Sequence, residues 1–354
     1  MSENTHSSTI SSGRIWKRVV LWTALFLCLM PLVCYYWLML YANNNGPAGS
    51  EDQVVVEIPK GTSVQGIGKI LGEAGVIRDD MRFMLLARLR GVATKLRAGE
   101  FQLPIGKNPS EILELLVTAK PYHYSITIPE GLRGEDIGAI FSAEGWCDQY
   151  VFLELMEDPE LIAELGFAGV SSLEGYLYPD TYFLTREKRG AKSIIVMLVN
   201  RFKEVWGEVV SDMKDSIPDQ RETVILASIV EKETGDAAER PLIASVFLNR
   251  LEKGMKLQSD PTVVYGSGNF NGPITKSDLK SSNPYNTYVI PALPAGPIAS
   301  PGRAAIEAVL HPAEAEYLYF VSKNDGTHYF SKNLREHINA VNKYQRKNRE
   351  KDSK

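Results

Sequence analysis

VVLWTALFLCLMPLVCYYWLMLY, residues 19 to 41, decides the architecture of this chain because it carries no charged side chain. As a helix rising about 1.5 Å per residue, the stretch reaches roughly 35 Å and crosses a hydrocarbon core. Aromatic residues, which favour the headgroup level, stand towards both of its ends, among them Trp22 and Trp37. The stretch therefore predicts a single transmembrane helix.

The charges beside this helix predict its orientation. Arg14, Lys17 and Arg18 precede it and few cations follow closely, so the positive-inside rule puts residues 1–18 in the cytoplasm as a tail. The rest of the chain then lies outside the cytoplasmic (inner) membrane, in the periplasm if the cell is Gram-negative. A cleaved signal peptide fits less well, because the apolar run is too long and no small-x-small site ends it.

The composition excludes several classes of protein. With 354 residues, 44% of them hydrophobic, the chain is long enough for two or three domains. A net charge of -4 gives no basic field, so nucleic acid is not an expected partner. Two of the three cysteines lie in the apolar run, and the five histidines show neither HExxH nor CxxC spacing. We expect no metal and no cofactor.

Outward from the helix, the polar residues 42–52 predict a linker, and folding starts near Gln53. VVVEIP is typical of a strand and the apolar spacing that follows predicts a helix. The pattern recurs seventy positions later, which indicates an internal repeat. The matching positions are Ile58, Pro59, Gly61, Ile67, Gly68, Ile70 and Gly75 with Ile128, Pro129, Gly131, Ile137, Gly138, Ile140 and Gly145.

Residues 53–120 thus predict a small α/β module, which resembles LysM modules. That resemblance implies a role in binding N-acetylated glycans; a structural adaptor without ligand is the alternative. Residues 121–345 predict a mixed α+β domain, which a family resemblance given below implies is the catalytic domain, and residues 346–354 a basic tail. The predicted fold class is α+β.

SSLEGYLYPDTYFL, residues 171–184, is dense in tyrosine and contains Glu174 and Asp180. Aromatic faces can stack on sugar rings while carboxylates bind hydroxyl groups, so both acids are candidate substrate-binding residues. A buried aromatic loop without a ligand is the alternative interpretation.

ETVILASIVEKET, residues 222–234, is an apolar helix that ends in two glutamates. Two positions along a helix turn about 200°, so Glu233 lies on the face of Val230 and Leu226, and Glu231 does not. A carboxyl group over an apolar face is desolvated, which raises its pKa and suits a general acid. Glu233 is therefore the candidate catalytic residue, although most glutamates at helix ends are only solvated.

Two polar stretches after this helix, residues 238–266 and 281–302, predict the walls of a cleft. The second is too rich in proline and glycine for regular structure, and long irregular loops in compact domains tend to be functional. The candidate substrate-binding residues here are Gln258, Asp260, Tyr285 and Asn286. We expect a structural role for His328 and His337.

Five motifs in order, EGYLYPDTY, ILASIVEKETG, SVFLNRLEKGMKLQSDPTVVYG, YNTY and LPAGPIASPG, resemble the YceG-like family of endolytic murein transglycosylases. The resemblance covers nearly the whole chain and implies that Glu233, the second acid of EKET, is catalytic. It implies cleavage of the β-1,4 bond between N-acetylmuramic acid and N-acetylglucosamine in nascent peptidoglycan strands, ending in a 1,6-anhydromuramyl group. Association with peptidoglycan synthases stays open.

Two other functions compete with this interpretation. A water-using glycosidase would need a second carboxylate, from Asp260, Glu174 or Asp180, at about 6.5 to 9.5 Å as the base. A non-catalytic protein would only bind the cell wall. A lyase that uses pyridoxal phosphate is disfavoured, because no lysine is marked for that cofactor.

Overall fold

The computed structural model describes residues 12–46, 52–78, 81–118, 122–167, 169–213 and 217–346. It is a mixed α+β structure whose chain divides into two compact units, residues 1–123 and 124–354. Most of the predicted cytoplasmic tail, the middle of the predicted linker and nearly all of the predicted basic tail lie outside the described residues. The predicted domain limits therefore stay predictions.

Helix α1 spans Ser12–Asn43, two residues beyond the predicted end of the apolar segment. Over Trp16–Asn43 it is long and apolar enough to cross a membrane, which is consistent with an anchor; a signal sequence has the same properties. From Trp16 onwards its side chains are exposed until the last two turns, where Leu38, Tyr41 and Ala42 enter the core of the first unit. The end of α1 is thus part of that core.

The first unit continues with a strand, two helices, a strand and a further helix. The strands pair antiparallel, with Ile58 opposite Gly99. Alternate strand residues such as Val56 and Phe101 face inwards, as a sheet with one covered face requires. The elements are β1 (Gln53–Ile58), α2 (Val64–Glu73), α3 (Arg82–Leu89), β2 (Gly99–Pro104) and α4 (Pro109–Thr118).

The second unit begins in the same way, with a strand and two helices, and a third helix precedes its second strand, so the repeat in the sequence has a structural counterpart. Its strands also pair antiparallel, with Tyr124 opposite Leu184. In each copy the glycines on either side of the first helix have positive φ: +81° and +73° at Gly61 and Gly75, +75° and +71° at Gly131 and Gly145. The elements are β3 (Tyr124–Thr127), α5 (Gly134–Ala143), α6 (Gln149–Met156), α7 (Pro159–Glu164) and β4 (Thr181–Leu184).

The rest of the second unit surrounds one buried helix, α9, in which every side chain from Thr223 to Val230 is buried. It packs against α10 and α12, and a small hairpin, β5 and β6, lies against α10. The elements are α8 (Ala191–Val209), α9 (Gln220–Glu233), α10 (Arg240–Glu252), α11 (Asp260–Ser267), α12 (Arg303–Leu310), β5 (Tyr319–Ser322), β6 (His328–Ser331) and α13 (Leu334–Val341), with short 3-10 turns at Arg186–Lys188 and Asp278–Lys280 and a π turn at Asn342–Arg346.

Gly175 lies in the buried tyrosine-rich loop at a position that has no room for a side chain. Gly175→Ala is therefore expected to lower the free energy of unfolding by about 2–4 kcal/mol. Its φ is +82°, and an added Cβ would stand 2.4 Å from the Cβ of Pro297. Gly145→Ala is the matched control, since its φ is +71° and nothing lies within 4 Å. Denaturant unfolding should show a clearly larger loss for Gly175→Ala. Equal losses would mean that the contact with Pro297 is not tight.

Candidate active site

Helix α9 brings both glutamates of EKET to its buried carboxyl end. Asp219 caps its start by accepting a hydrogen bond from the backbone N–H of Glu222 at 2.8 Å. At Thr234 the backbone becomes extended, with φ -145° and ψ 139°, and the helix ends. The two carboxylates then meet different partners, and these partners distinguish their roles.

Glu231 is held in structural contacts. Its Oε1 accepts a hydrogen bond from Arg240 at 3.2 Å, and its Oε2 accepts one from the backbone N–H of Gly302 at 3.0 Å. The side chains of Glu231 and Arg240 are only 7% and 11% exposed. Glu231 thus ties α9 to the starts of α10 and α12, with both of its oxygens already bonded.

Glu233 has a single hydrogen-bond donor within the described residues, the hydroxyl of Ser259, at 2.5 Å from its Oε1. Burial and, to a smaller extent, the nearby Asp260 raise the pKa of Glu233 to about 7, against the Ser259 hydrogen bond and the charge of Arg250, which lower it. A carboxyl group with this pKa holds a proton near neutral pH and can also lose it. Glu233 therefore suits a group that acts as an acid and then as a base.

Ser259 is positioned by its own backbone. Its N–H donates to Thr287 Oγ1 at 3.0 Å, and its C=O accepts from Thr262 Oγ1 at 2.7 Å. The preceding residue, the exposed Gln258, has φ +51°, a conformation that costs energy for a residue other than glycine. The hydrogen bonds to the two buried threonines hold this backbone conformation, and the serine hydroxyl therefore stays within reach of Glu233.

Three of the other predicted residues lie on the loops around this site. Asp260 follows Ser259 and accepts a hydrogen bond from Tyr288 at 2.5 Å, with its own side chain exposed. Tyr285 packs against Tyr265, with ring centroids 4.7 Å apart. Asn286 is 1% exposed and donates to the carbonyl groups of Asp278 and Ser281. It stabilises the loop, so its contact with substrate stays a prediction.

The two predicted substrate-binding acids of the tyrosine-rich loop, Glu174 and Asp180, have different surroundings in the structure. Glu174 is buried, and its carboxylate accepts from Gly134 N at 3.0 Å and from the Tyr265 hydroxyl at 3.3 Å. Burial raises its pKa to about 7 against these bonds. Asp180 instead pairs with Arg201 of α8 at 2.7 Å, which gives it a structural role. Of the two acids, only Glu174 joins the loops around the site, through Tyr265.

The sequence interpretation missed a buried pair beside Glu233. His328 donates its backbone N–H to Glu239 Oε1 at 2.8 Å, and its Nδ1 lies 2.7 Å from the other oxygen of Glu239. His328 lies close enough to Glu233 to affect the pKa of that carboxyl group. A signal was present, because Glu239 follows EKET closely and His328 stands in GTHYFS. Their separation of 89 positions concealed the pair.

Ser259→Ala is expected to move the pH dependence of activity. Glu233 must be protonated to act as an acid, so activity should fall as the pH rises through about 7. The Ser259 hydrogen bond stabilises the carboxylate and lowers its pKa, so removing the hydroxyl raises it. The falling limb of the kcat profile should shift up by about 0.5–1 pH unit. A limb that stays in place or shifts down would refute this role.

Comparison with known proteins shows what this chain is similar to. The sequence model of the YceG-like family matches residues 56–343. A Bacillus subtilis protein named endolytic murein transglycosylase is 33% identical over 309 residues, which cover 83% of this chain and 86% of the relative. A Streptococcus pneumoniae protein of the same name is 29% identical and is covered over 59% of its length. A crystal structure of a putative YceG-like protein from Listeria monocytogenes, 32% identical, superposes with a TM-score of 0.55 over 82% of this chain and 100% of that one.

The named relatives show the class of enzyme to which the chain belongs, the lytic transglycosylases. It belongs to the YceG-like family. The family predicted from the five motifs is thereby confirmed.

Proposed function

We propose that this enzyme cuts peptidoglycan glycan strands internally, at the β-1,4 bond between N-acetylmuramic acid and N-acetylglucosamine, with Glu233 as the only proton-transfer residue. The observation that carries the proposal is the carboxyl group of Glu233, which is desolvated, bonded by Ser259 and in no ion pair with a described residue. The name of the Bacillus subtilis and Streptococcus pneumoniae relatives supports murein as the substrate.

In the first step, protonated Glu233 donates its proton to the bridging oxygen as the muramyl C1–O bond breaks and positive charge develops on the sugar. The acetamido group of the substrate stabilises this cation. In the second step, the Glu233 carboxylate removes the proton of the muramyl C6 hydroxyl, whose oxygen bonds to C1 and closes the 1,6-anhydro ring. Glu233 regains its proton, so the reaction needs neither water nor a second carboxylate.

A water-using glycosidase is the second candidate, and Asp260 is the observation that favours it. Asp260 follows Ser259 directly and has an exposed side chain, which supports a role for its carboxylate in activating a water molecule. Asp180 does not fit this role, because Arg201 holds its carboxylate. The two reactions differ in their products, which makes them separable.

We propose further that α1 is a single transmembrane anchor with its amino end in the cytoplasm, so that the second unit works outside, on strands emerging at the membrane. The apolar length of Trp16–Asn43 and the cations before it support this orientation. The strand–helix–helix–strand order of residues 53–104 supports a LysM-like module that binds glycan. Partnership with a peptidoglycan synthase is an extension that the membrane position makes reasonable.

The deciding experiment is mass analysis of strands released from isolated sacculi in water enriched in oxygen-18. The proposal expects 1,6-anhydro ends, one water lighter than reducing ends and without the heavy isotope. Reducing ends that contain oxygen-18 would instead establish the hydrolase. Binding without release would leave only a wall-binding protein.

A further inference from the structure

The second copy of the repeat departs from the first at the start of its first helix. In the first copy, Ser63 caps α2 locally by accepting from Gly66 N at 3.1 Å. In the second copy Arg133 stands at that position, Asp136 accepts from the N–H of Arg133 at 3.3 Å, and Glu174, forty residues away, accepts from the next N–H, that of Gly134. A buried carboxyl group is a costly way to bond one further N–H of a helix that Asp136 already caps, so capping alone does not explain Glu174.

Glu174 opens onto a groove of about 530 Å³, lined by both apolar and charged residues. Leu153, Met156 and Phe270 form an aliphatic and aromatic wall. Only 8% of Glu174 is exposed, and no cation forms an ion pair with it among the described residues. The guanidinium of Arg133 pairs with Glu135 and Asp136 and lies 3.7 Å from the centroid of the Phe270 ring. Its hydrogen bonds are therefore directed to these two acids, and its charge acts on Glu174 only from a distance.

The charge of this groove is strongly negative. Four carboxylates line it, and Arg133 is the one cation beside them. Glu154 and Glu157 are exposed at its edge, whereas Glu174 lies at its buried end. A groove with an apolar wall, an acidic edge and a buried acid without a cation is complementary to an alkyl chain that ends in an ammonium group.

Helix α11 connects this groove to the active site. The helix begins at Asp260, beside the Ser259 that binds Glu233, and Tyr265 five residues later both bonds Glu174 and lines the groove. Five residues of helix rise about 7.5 Å. A peptide extends about 3.5 Å per residue, so two or three residues attached to a sugar in the active site span that length.

We propose that this groove binds the free side-chain amine of the diamino acid in a murein stem peptide, and that the enzyme thereby selects strands that are not yet cross-linked. The proposal rests on the proposed function, since it takes murein as the substrate. Cross-linking turns that amine into an amide and removes its charge, so a cross-linked stem loses the ion pair with Glu174. Selection for new strands is then built into the second unit itself.

The test compares three preparations of uncross-linked glycan strands, with the stem amine free, N-acetylated or N,N-dimethylated. Dimethylation keeps the positive charge and adds bulk similar to that of acetylation. The full-length enzyme should cleave free and dimethylated strands with similar kcat/KM, and acetylated strands about tenfold less well. Equal kcat/KM on all three preparations, or equal losses for both modified strands, would overturn the proposal.

Variants identify the groove as the cause. Glu174→Gln should lower kcat/KM on free-amine strands about tenfold and leave acetylated strands nearly unchanged. Because Glu174 is buried, the exposed double change Glu154→Gln and Glu157→Gln is a second test that spares the fold and should reduce the same preference. Glu164→Gln, an exposed acid that pairs with Lys192 outside the groove, is the matched control and should change nothing. Preference retained in both groove variants would refute the assignment.

Failure of this proposal is distinct from failure of the proposed function. Glu233→Gln should lose cleavage of all three preparations alike, because it removes the proton donor. Suppose that Glu233→Gln abolishes cleavage and that the unmodified enzyme has the same kcat/KM on all three preparations. The proposed reaction is then supported and the proposed amine site is refuted.

Discussion

Glu233→Gln is expected to lower the release of anhydro-ended strands from isolated sacculi by about 10³-fold, within the range of 10² to 10⁴ for general acid–base catalysis. An amide can neither protonate the glycosidic oxygen nor accept the proton of the C6 hydroxyl, so both steps fail together. The amide oxygen can still accept the hydrogen bond from Ser259, so the local structure should persist. Chromatography of released strands with mass detection measures the effect.

Two controls sharpen this experiment. Glu252→Gln makes the same chemical change at an exposed position on α10 and should leave release unchanged. Binding of the Glu233→Gln variant to sacculi should equal that of the unmodified chain, since the change adds and removes no bulk. Release by Glu233→Gln at the rate of the Glu252→Gln control would sink the assignment of the catalytic acid.

Glu231→Gln is expected to have its main effect on stability, lowering the free energy of unfolding by about 3 kcal/mol. Arg240 would remain charged and 11% exposed, and its other acidic neighbour among the described residues is the half-exposed Glu130 at 3.8 Å. Removing one member of a buried ion pair leaves a poorly compensated buried charge, which costs more than the pair contributed. Urea unfolding measures the loss, and release of strands at low temperature should persist.

The variants of the two glutamates are expected to differ in opposite ways, one in activity and the other in stability. Glu233→Gln should unfold at nearly the same urea concentration as the unmodified chain, whereas Glu231→Gln should lose activity only where it unfolds. Adding Arg240→Met to Glu231→Gln removes the stranded charge and should recover part of the stability. If Glu231→Gln stops cleavage while the protein stays folded, the two roles must be exchanged.

The residues around Glu233 show why sequence reasoning located the site only in part. The run from Thr223 to Val230 predicts a buried helix, and its abrupt polar end marks the carboxyl groups. The argument from helix faces did not separate Glu231 from Glu233, because α9 is buried on all sides and Ala227 and Ser228 are as enclosed as Ile229. The pairs of His328 with Glu239 and of Glu174 with Tyr265 join distant segments, which local periodicity does not report.

The sequence by itself determined the apolar length of α1, the repeated strand–helix unit, the buried run of α9 and the family, because these depend on local spacing and on motifs in order. Tertiary structure alone decided which of the carboxylates of Glu231 and Glu233 is held by structural contacts and which is available for proton transfer. Arg240 and the backbone of Gly302 neutralise Glu231, whereas Glu233 receives one hydroxyl from Ser259 and keeps a raised pKa. The physical reason is that desolvation and pairing depend on groups brought together in space from distant chain positions, such as Glu231 and Gly302, which are 71 residues apart.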